Sequence, residues 1–293
     1  RSSATSTLRL STHGETIGSL AGAASSTVDL GNQALTAGGN NASTTFAGAM
    51  SGTNGSFTKA GTGTLTLSGA NSYSGATAIE DGRVMLSGDA NRLPTGTTVT
   101  LGSATGPTSG VLALNGQNQT LAGLTTSGAG TGNAVVGGSA TSSTLTISGA
   151  GNSTFAGVLG GSGTNENNFA LSKAGDGVLT LSGANAYAGT TTITGGTVVA
   201  SSATALGNIS TGTTVNGGTL DVRATIAEPL TISGAGVDSN GALITSTGSG
   251  TASGTVALAA NATIGGAGNL TVDGVVSGSF GITKKGDGVT ALT

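Results

Sequence analysis

The chain has 293 residues, of which 56 are glycine, none is cysteine or tryptophan and only 7% are charged, for a formal net charge of −3. A hydrophobic fraction of 35% with so little net charge excludes the disordered class, which combines low hydrophobicity with high net charge. The missing cysteines exclude disulfides and thiolate metal sites, the three prolines without a Gly-X-Y period exclude collagen, and the acidic balance leaves no basic stripe for nucleic acid.

The composition also argues against a membrane-spanning chain. No apolar run approaches the roughly 18 to 20 residues that a spanning helix needs. With 2% aromatic residues there are no Trp/Tyr girdles of the kind that line outer-membrane barrels. We therefore expect neither a membrane-spanning helix nor an outer-membrane barrel in this chain.

Three modules follow one another along the chain, approximately 1–101, 102–214 and 215–293, and we expect them to form a single body over 1–293. Each carries a T-F-x-G-like block, at Thr45, Thr154 and Thr271, followed by a K-x-G-x-G signature. The signature copies occupy 57–86, 171–200 and 282–293, and the third lacks the A-N-x-Y part. We attribute that loss to truncation and expect the chain to be a piece of a longer protein.

Within each module the hydrophobic period is two, as in a β-strand with one buried face. The clearest runs alternate Leu, Ile or Val with Thr or Ser, at 64–68, 111–114, 144–147, 178–181 and 219–222. Glycine clusters separate them, and glycine tolerates the positive φ of sharp corners. No window forms an amphipathic helix, so we predict an all-β chain with almost no α-helix.

Short strands with even turns fit a sandwich, a barrel or a solenoid, and the long-range repeat favours the solenoid. We predict a right-handed parallel β-helix with coils of about 20 to 25 residues, aliphatic side chains inside and Thr and Ser outside. The second module carries extra residues around 164–169 (TNENNF). We predict a loop leaving its coil there.

The signature resembles the passenger-associated repeat (autotransporter-associated β-strand repeat) of AIDA-like type V autotransporters. The first copy carries the resemblance at Lys59, Gly61, Gly63, Asn71, Tyr73 and Gly75, and the second at Lys173, Gly175, Gly177, Asn185, Tyr187 and Gly189. The resemblance implies a β-helical passenger exported through a C-terminal barrel that is absent from this chain. It also implies repeats linked to secretion and outward folding, and an extracellular place on a Gram-negative surface, anchored or released.

The signature side chains have structural and functional interpretations. Tyr73 and Tyr187 are the only tyrosines; we expect each ring to pack over a Gly-rich turn, with sugar stacking as the alternative. We expect Asn71 and Asn185 to bind turn backbone. For Lys59, Lys173 and Lys284 we expect solvated turns, with at most a weak surface ion pair to Asp176 or Asp287.

No pattern of residues indicates catalysis, a cofactor or a metal. His13 is the only histidine and has no G-x-S-x-G near it. Glu80 and Asp81 are adjacent, so in a strand they would face opposite sides and fail as a glycosidase pair. The glycine-rich strings at 160–165 and 265–269 lack the aspartate of calcium rolls.

We therefore expect a non-enzymatic stalk or adhesin segment of a secreted passenger, which supports surface display and folds outward during export. The alternative is a directly adhesive Thr/Ser face that binds host glycans or pairs with other rods in a biofilm. A polysaccharide-degrading β-helix enzyme is less favoured because carboxylates and aromatic residues are sparse. An ice-binding threonine array is disfavoured by irregular spacing.

Overall fold

A computed structural model describes residues 6–293; residues 1–5, the start of the first predicted module, lie outside the described residues. The described residues form strands and one 3-10 turn, Val237–Ser239, with no α-helix among them. None of their helices is long and apolar enough to cross a membrane. The described strands pair in parallel, and the predicted β-solenoid class is confirmed.

Internal contacts divide the chain into two compact units. Of the described residues, unit 1 comprises 6–145 with 161–168, and unit 2 comprises 146–160 with 169–293. Strand β16 (Ser143–Ile147) begins in the first unit and ends in the second. The module boundaries read from the sequence stay a prediction.

Unit 1 is built from three parallel sheets whose strands alternate along the chain, as in a coil with three sides. The sheets have the orders β1-β3-β6, β15-β12-β10-β8-β5 and β14-β11-β9-β7-β4-β2. The strands are β1 (Thr7–Arg9), β2 (Glu15–Ile17), β3 (Thr27–Asp29), β4 (Ala34–Ala37), β5 (Thr44–Phe46), β6 (Ala49–Ser51), β7 (Ser56–Lys59), β8 (Thr64–Leu67), β9 (Thr77–Ile79), β10 (Gly82–Leu86), β11 (Thr98–Leu101), β12 (Gly110–Ala113), β13 (Gln119–Leu121), β14 (Gly123–Thr126) and β15 (Ala134–Val136).

Unit 2 has the same three-sided organisation. One column of paired strands runs β19-β21-β23-β26-β29 and on to β31, a second runs β17-β20-β22-β24-β27-β29 and on to β32, and a third runs β25-β28-β30-β33. The strands are β17 (Ser153–Phe155), β18 (Val158–Leu159), β19 (Phe169–Lys173), β20 (Val178–Leu181), β21 (Thr191–Ile193), β22 (Thr197–Ala200), β23 (Thr213–Asn216), β24 (Thr219–Val222), β25 (Thr225–Ile226), β26 (Leu230–Gly234), β27 (Leu243–Ile244), β28 (Ser249–Ala252), β29 (Val256–Gly265), β30 (Asn269–Val272), β31 (Val276–Ser277), β32 (Ile282–Lys285) and β33 (Thr290–Leu292). The long strand β29 belongs to the first two columns because its two ends pair with β26 and β27.

The core consists of aliphatic columns, as the alternation predicts. Strands β8 and β20 each alternate half-buried and buried residues, with the leucines inside. In unit 2, Leu181 is in register with Ala200, which is in register with Val222, and all three are fully buried. Each coil therefore covers the apolar side chains of the coil before it, as a solenoid core requires.

The extra residues of the second module do form a loop, which folds against unit 1. The Arg83 guanidinium lies 3.1 Å from a carboxylate oxygen of Glu166, and Gly137 N–H donates to the Glu166 carbonyl at 2.8 Å. The Asn168 side chain donates to the Ser139 carbonyl at 2.9 Å. The predicted range is one residue too long, because Phe169 already begins β19 and is fully buried.

Successive coils approach so closely at their turns that some positions exclude a β-carbon. A Cβ on Gly177 would lie 2.2 Å from the Gly151 carbonyl oxygen of the preceding coil, whereas a Cβ on Gly151 would meet nothing within 4 Å. Real Cβ contacts below 3.0 Å essentially do not occur. Gly177 is therefore fixed by the stacking distance, and Gly151 is free of that constraint.

We predict opposite outcomes for this matched pair of substitutions. Gly177→Ala should lower the free energy of unfolding by about 1–3 kcal/mol, because the turn must move away from its neighbour. Gly151→Ala should be neutral or slightly stabilising, since alanine restricts the unfolded chain. Urea unfolding followed by far-UV circular dichroism measures both, and equal midpoints for the two variants would contradict the prediction.

Candidate functional site

The signature residues form contacts between successive coils. We call the set Lys59, Asn71 and Tyr73 of unit 1, and the set Lys173, Asn185 and Tyr187 of unit 2, the signature clamps. All six side chains are buried. The lysine of each clamp ends strand β7 or β19, and the asparagine and tyrosine lie in the segment after β8 or β20. The lysine and asparagine bind backbone of neighbouring coils, whereas the tyrosine hydroxyl bonds a threonine of its own coil.

The asparagine of each clamp bridges three coils. Asn71 Oδ1 accepts from the Met50 N–H at 2.8 Å, 21 residues earlier, and its Nδ2 donates to the Arg92 carbonyl at 2.7 Å, 21 residues later. Asn185 Oδ1 accepts from Leu159 N–H at 2.8 Å, and its Nδ2 donates to the Ala205 carbonyl at 2.6 Å. Each amide thus binds backbone, but only the carbonyls of Arg92 and Ala205 lie in turns, whereas the N–H groups of Met50 and Leu159 belong to strands β6 and β18. An amide suits the task because it carries a donor and an acceptor on one rigid group.

The tyrosine of each clamp lies fully inside its coil. Tyr73 OH lies 2.7 Å from Thr77 Oγ1, and Tyr187 OH lies 2.5 Å from Thr191 Oγ1. The Tyr187 ring stacks on Phe169 with centroids 5.5 Å apart. Burial raises the pKa of both phenols, so the neutral hydroxyl is the form that bonds.

Both tyrosine rings therefore act in packing. The ring of Tyr187 lies against the Gly207 turn, where an added Cβ would be 2.9 Å from ring carbon Cζ. This contact agrees with the expectation that the Tyr187 ring packs over a Gly-rich turn, and the same expectation for Tyr73 stays a prediction. Neither ring has an exposed face on which a sugar could stack.

The expectation of solvated lysines is wrong for the first two signatures. Lys59 and Lys173 are each 1% exposed. Lys59 Nζ donates to the backbone carbonyls of Ala60 at 2.8 Å and Gly61 at 2.6 Å, and to the backbone carbonyl of Asp81 in the next coil at 3.3 Å. Lys173 Nζ donates to the Gly175 carbonyl and, at 3.4 Å, to Gly195 of the next coil.

The lysine ammonium thus draws carbonyls of two coils together. Burial lowers the pKa of both Lys59 and Lys173, and the charges of Asp81 and Asp176 offset this in part. A buried ammonium is tolerated only where oxygen acceptors surround it. The carbonyl two residues further on is that of a signature glycine, Gly61 or Gly175. These two residues are glycines because a Cβ would lie 2.2 Å from the Gly38 carbonyl oxygen or 2.1 Å from that of Ser148.

The remaining signature glycines keep room for the coil before them. A Cβ would lie 2.4 Å from the Ala42 carbonyl oxygen at Gly63, 2.5 Å from that of Gly55 at Gly75, and 2.5 Å from that of Phe169 at Gly189. Gly61 also has a φ of 68°, in the left-handed region. These positions are glycines because of the stacking distance.

The other candidate residues stay apart from the clamps. His13 is exposed, and its Nδ1 lies 2.9 Å from the hydroxyl of its neighbour Thr12. Asp81 accepts from Gly82 N–H at 2.9 Å in the turn before β10. Within residues 6–293 no cluster of three or more His, Asp or Glu side chains could hold a metal ion.

Gln119 and Glu228 are buried polar residues for which the sequence analysis predicts no role. Gln119 Oε1 accepts from Leu93 N–H at 3.0 Å and its Nε2 donates to the Leu93 carbonyl at 3.0 Å, beside the Arg92 carbonyl that Asn71 binds. Its place in the Q-T-L-A-G-L block (119–124) is the one signal that could have drawn attention to it. No comparable signal marks the second residue, Glu228.

Glu228 is a carboxyl group inside unit 2. It is 3% exposed and accepts from Thr213 Oγ1 at 2.8 Å, itself one coil after the Thr191 that holds Tyr187. Burial raises the pKa of Glu228 from its ordinary 4.5 to about 7, and the Thr213 hydrogen bond offsets part of that rise. The group therefore titrates near neutral pH in the folded protein.

Comparison with known proteins places this geometry in context. The passenger-associated-transport-repeat family model matches residues 57–86 and 171–200. A curated relative named "Adhesin BmaC autotransporter", from Brucella suis biovar 1 (strain 1330), is 33% identical over 241 residues. The match covers 81% of this chain and 6% of that protein, so the chain spans a small part of its relative. No solved structure matches the chain.

We predict that the clamp asparagine contributes more to the free energy of unfolding than an exposed polar residue does. Asn185→Ala leaves Leu159 N–H and the Ala205 carbonyl buried without their partner, so it should lower the free energy of unfolding by about 2–5 kcal/mol. Asn240→Ala, at an exposed asparagine of the same unit, is the control and should cost less than about 0.5 kcal/mol. Urea titration of both variants decides, and a cost for Asn185→Ala no larger than the control's would show that the bridge is dispensable.

We predict that unit 2 gains stability on mild acidification. The folded-state pKa of Glu228, about 7, lies above its ordinary value of 4.5. The contribution of Glu228 to the free energy of unfolding is therefore fully present below pH 4.5 and is lost as the pH rises through 7. The free energy of unfolding should be larger at about pH 5 than at about pH 8, by on the order of 2 kcal/mol.

Two variants test the origin of this pH dependence. Glu228→Gln keeps the shape and removes the charge, so its urea midpoint should lose this pH dependence. Glu15→Gln, at an exposed carboxylate, should keep it. An unchanged slope in Glu228→Gln would assign the effect to other groups.

Proposed function

We propose, from the premise that this chain is a segment of an autotransporter passenger carrying passenger-associated-transport repeats, that it is a structural stalk. In this role it supports display of an adhesive region at the cell surface. Its repeats direct the stacking of coils as the chain folds outside the cell. The segment itself performs no reaction.

One observation carries the proposal: each clamp asparagine joins its own coil to the coil before and the coil after. In a solenoid, stability is a sum of coil and neighbour terms, so such bridges strengthen the step that adds a coil. A chain that crosses the outer membrane unfolded gains free energy coil by coil on the far side. That gain opposes its return, which supports a role in outward folding.

The setting follows from the same premise. The segment works outside a Gram-negative cell, as part of a passenger that stays anchored in the outer membrane or is released. The clamp side chains are enclosed by neighbouring coils, which leaves them for packing and not for substrate. This supports a non-enzymatic role.

Direct adhesion is the second candidate, and the relative named as an adhesin favours it. Some outward threonines of unit 1 form pairs between coils, such as Thr7 with Thr27, whose hydroxyls lie 2.9 Å apart on the exposed surface. Uncharged hydroxyl surfaces of this kind suit host glycans or close packing against another copy. The two candidates differ in whether the isolated segment binds anything.

We predict that the segment fails as an adhesin on its own and is still needed in its parent protein. Beads coated with the purified chain should bind host cells, and each other, no better than beads coated with an unrelated protein. Deleting residues 1–293 from the full passenger should reduce bacterial adhesion several-fold because the adhesive region is then displayed closer to the surface. Flow cytometry of surface-labelled passenger controls for the amount displayed.

Either of two results would contradict the stalk. Specific binding of coated beads would favour the directly adhesive face. Unchanged adhesion after the deletion, at equal surface amounts, would leave the segment without a role in display. Release of sugars from pectin or related polymers by the purified chain would instead indicate an enzyme.

A further inference from the structure

The side of unit 1 carries a groove with an apolar floor and a polar rim. It has a volume of about 550 Å³ and lies where the coil of Leu93 and Pro94 meets the preceding coil, that of Ser72 and Ser74. Leu93 and Pro94 are buried, whereas Ser72, Ser74 and Thr95 are exposed. Among the described residues that line the groove, none is charged. This combination of surfaces is typical of sites for small uncharged ligands.

Buried amides hold the floor of the groove from inside the coil. Gln119 is 1% exposed and uses both ends of its amide on Leu93, accepting from the N–H and donating to the carbonyl, each at 3.0 Å. The Asn71 side chain donates to the carbonyl of the preceding residue, Arg92, at 2.7 Å. The floor is therefore fixed before a ligand arrives, which reduces the entropy lost on binding.

The rim carries hydrogen-bonding groups that the fold does not use. Ser72 N–H donates to the Met50 carbonyl, but within residues 6–293 the hydroxyls of Ser72 and Thr95 have no hydrogen-bond partner. Ser74 Oγ accepts from the Asn54 N–H at 2.7 Å and keeps its own O–H for another partner. These groups are free to bind hydroxyl groups of a ligand.

The second signature shows that stacking does not need the two serine hydroxyls. Ala186 and Ala188 stand at the positions of Ser72 and Ser74. The asparagine of that clamp, Asn185, still bridges the coils on both sides of it. The serines of unit 1 are therefore not explained by the contacts that the two signatures share.

In unit 2 the chain itself fills the corresponding place. Between the floor leucine and the next buried threonine, unit 1 has three residues, 94–96, whereas unit 2 has six, 207–212. The Asn208 N–H donates to the Tyr187 carbonyl at 2.9 Å, and Thr211 Oγ1 donates to the Gly189 carbonyl at 3.1 Å. The open groove thus results from the shorter connection of unit 1.

The groove continues along unit 1 into a second depression of about 610 Å³. The two share Ser72 and Ser74, and the second reaches back to Asp29. The Asp29 carboxylate is already bound by Arg9 Nε at 2.9 Å and by Gly31 N–H at 3.1 Å. From end to end the groove crosses three coil spacings, roughly 15 Å. A ligand that follows it is therefore a short chain of units.

We propose that this groove binds a neutral oligosaccharide. A sugar ring has an apolar C–H face, which packs on Leu93 and Pro94, and hydroxyl edges, which bond the hydroxyls of Ser72, Ser74 and Thr95. A charged ligand would meet no free counter-charge on the rim. A peptide would need a strand edge or pockets for its side chains, and the groove has hydroxyl groups instead.

The proposal rests on the proposed place of the segment outside the cell. Two sources of neutral sugar meet it there, the surface polysaccharide of the bacterium and the glycans of a host. Because we expect no binding of the isolated segment to host cells, the expected source is the bacterium's own polysaccharide. The chemistry of the groove is the same for both.

Biolayer interferometry of the purified full chain over immobilised glycans tests the proposal. The probes are the neutral surface polysaccharide of the source bacterium, neutral glycans released from host cells, and polygalacturonate as a charged polymer. The chain should bind a neutral probe and not polygalacturonate. Ser72→Ala with Ser74→Ala, which copies the second signature, should weaken that binding by about tenfold because two hydrogen bonds are lost.

The matched control is Ser148→Ala with Ser182→Ala, at exposed serines of unit 2, and should bind as the unaltered chain does. Far-UV circular dichroism and urea midpoints report that both double variants are folded. Absence of binding to either neutral probe, stronger binding to polygalacturonate, or equal binding by the Ser72/Ser74 variant would overturn the proposal. So would binding of unfolded casein that this variant loses, because the groove would then be a peptide site.

The outcome for the sugar is separate from the outcome for the stalk. Binding to host glycans that the Ser72/Ser74 variant loses would support the site and favour direct adhesion. Binding to the bacterial polysaccharide alone would support the site and agree with a stalk. Failure to bind any sugar leaves the stalk to be judged by the adhesion experiment.

Discussion

Everything in this fold depends on the short distance between successive coils. Parallel strands in register lie about 4.8 Å apart, so the turns between them are equally close. At that distance a turn has no water between it and the next, and its backbone N–H and C=O groups need protein partners. The signature residues supply these partners. Asn71 and Asn185 provide a donor and an acceptor on opposite sides, Lys59 and Lys173 provide a cation for converging carbonyls, and glycine keeps the space open.

The same constraint explains why polar residues lie inside a solenoid whose core is otherwise aliphatic. Each Tyr–Thr pair places a hydroxyl bond within the coil, and each ring fills a corner that leucine would leave partly empty. In unit 2 the line of polar groups continues to Thr213 and Glu228. Burial raises the pKa of the Glu228 carboxyl, so the stability of this coil depends on pH. Aliphatic side chains do not titrate and add no such dependence.

Most of the fold could be predicted from the sequence because strands, turns and repeats leave local patterns. The period of two placed Leu65, Leu67, Leu179 and Leu181 inside, and the glycine clusters marked the corners. The role of the asparagines followed from their chemistry. The burial of the lysines could not be predicted, because lysine is ordinarily solvated. In addition, one of the carbonyls that bind Lys173 belongs to Gly195, 22 residues further along the chain. Glu228 occurs once and has no repeat to mark it, so only the folded coil reveals its burial.

The direction that each signature faces bears on what the repeats do. A ligand surface built from repeated signatures would be multivalent if successive copies faced the same side. In unit 2 the second and third signatures begin on strands β19 and β32, which belong to different columns and so to different sides of the coil. A repeat that turns by one face from copy to copy is poorly suited to present one ligand surface. It suits stacking equally well on every side, because the clamp needs only the coil before it and the coil after it. The phasing of the repeats is therefore better explained by coil addition than by recognition of a ligand.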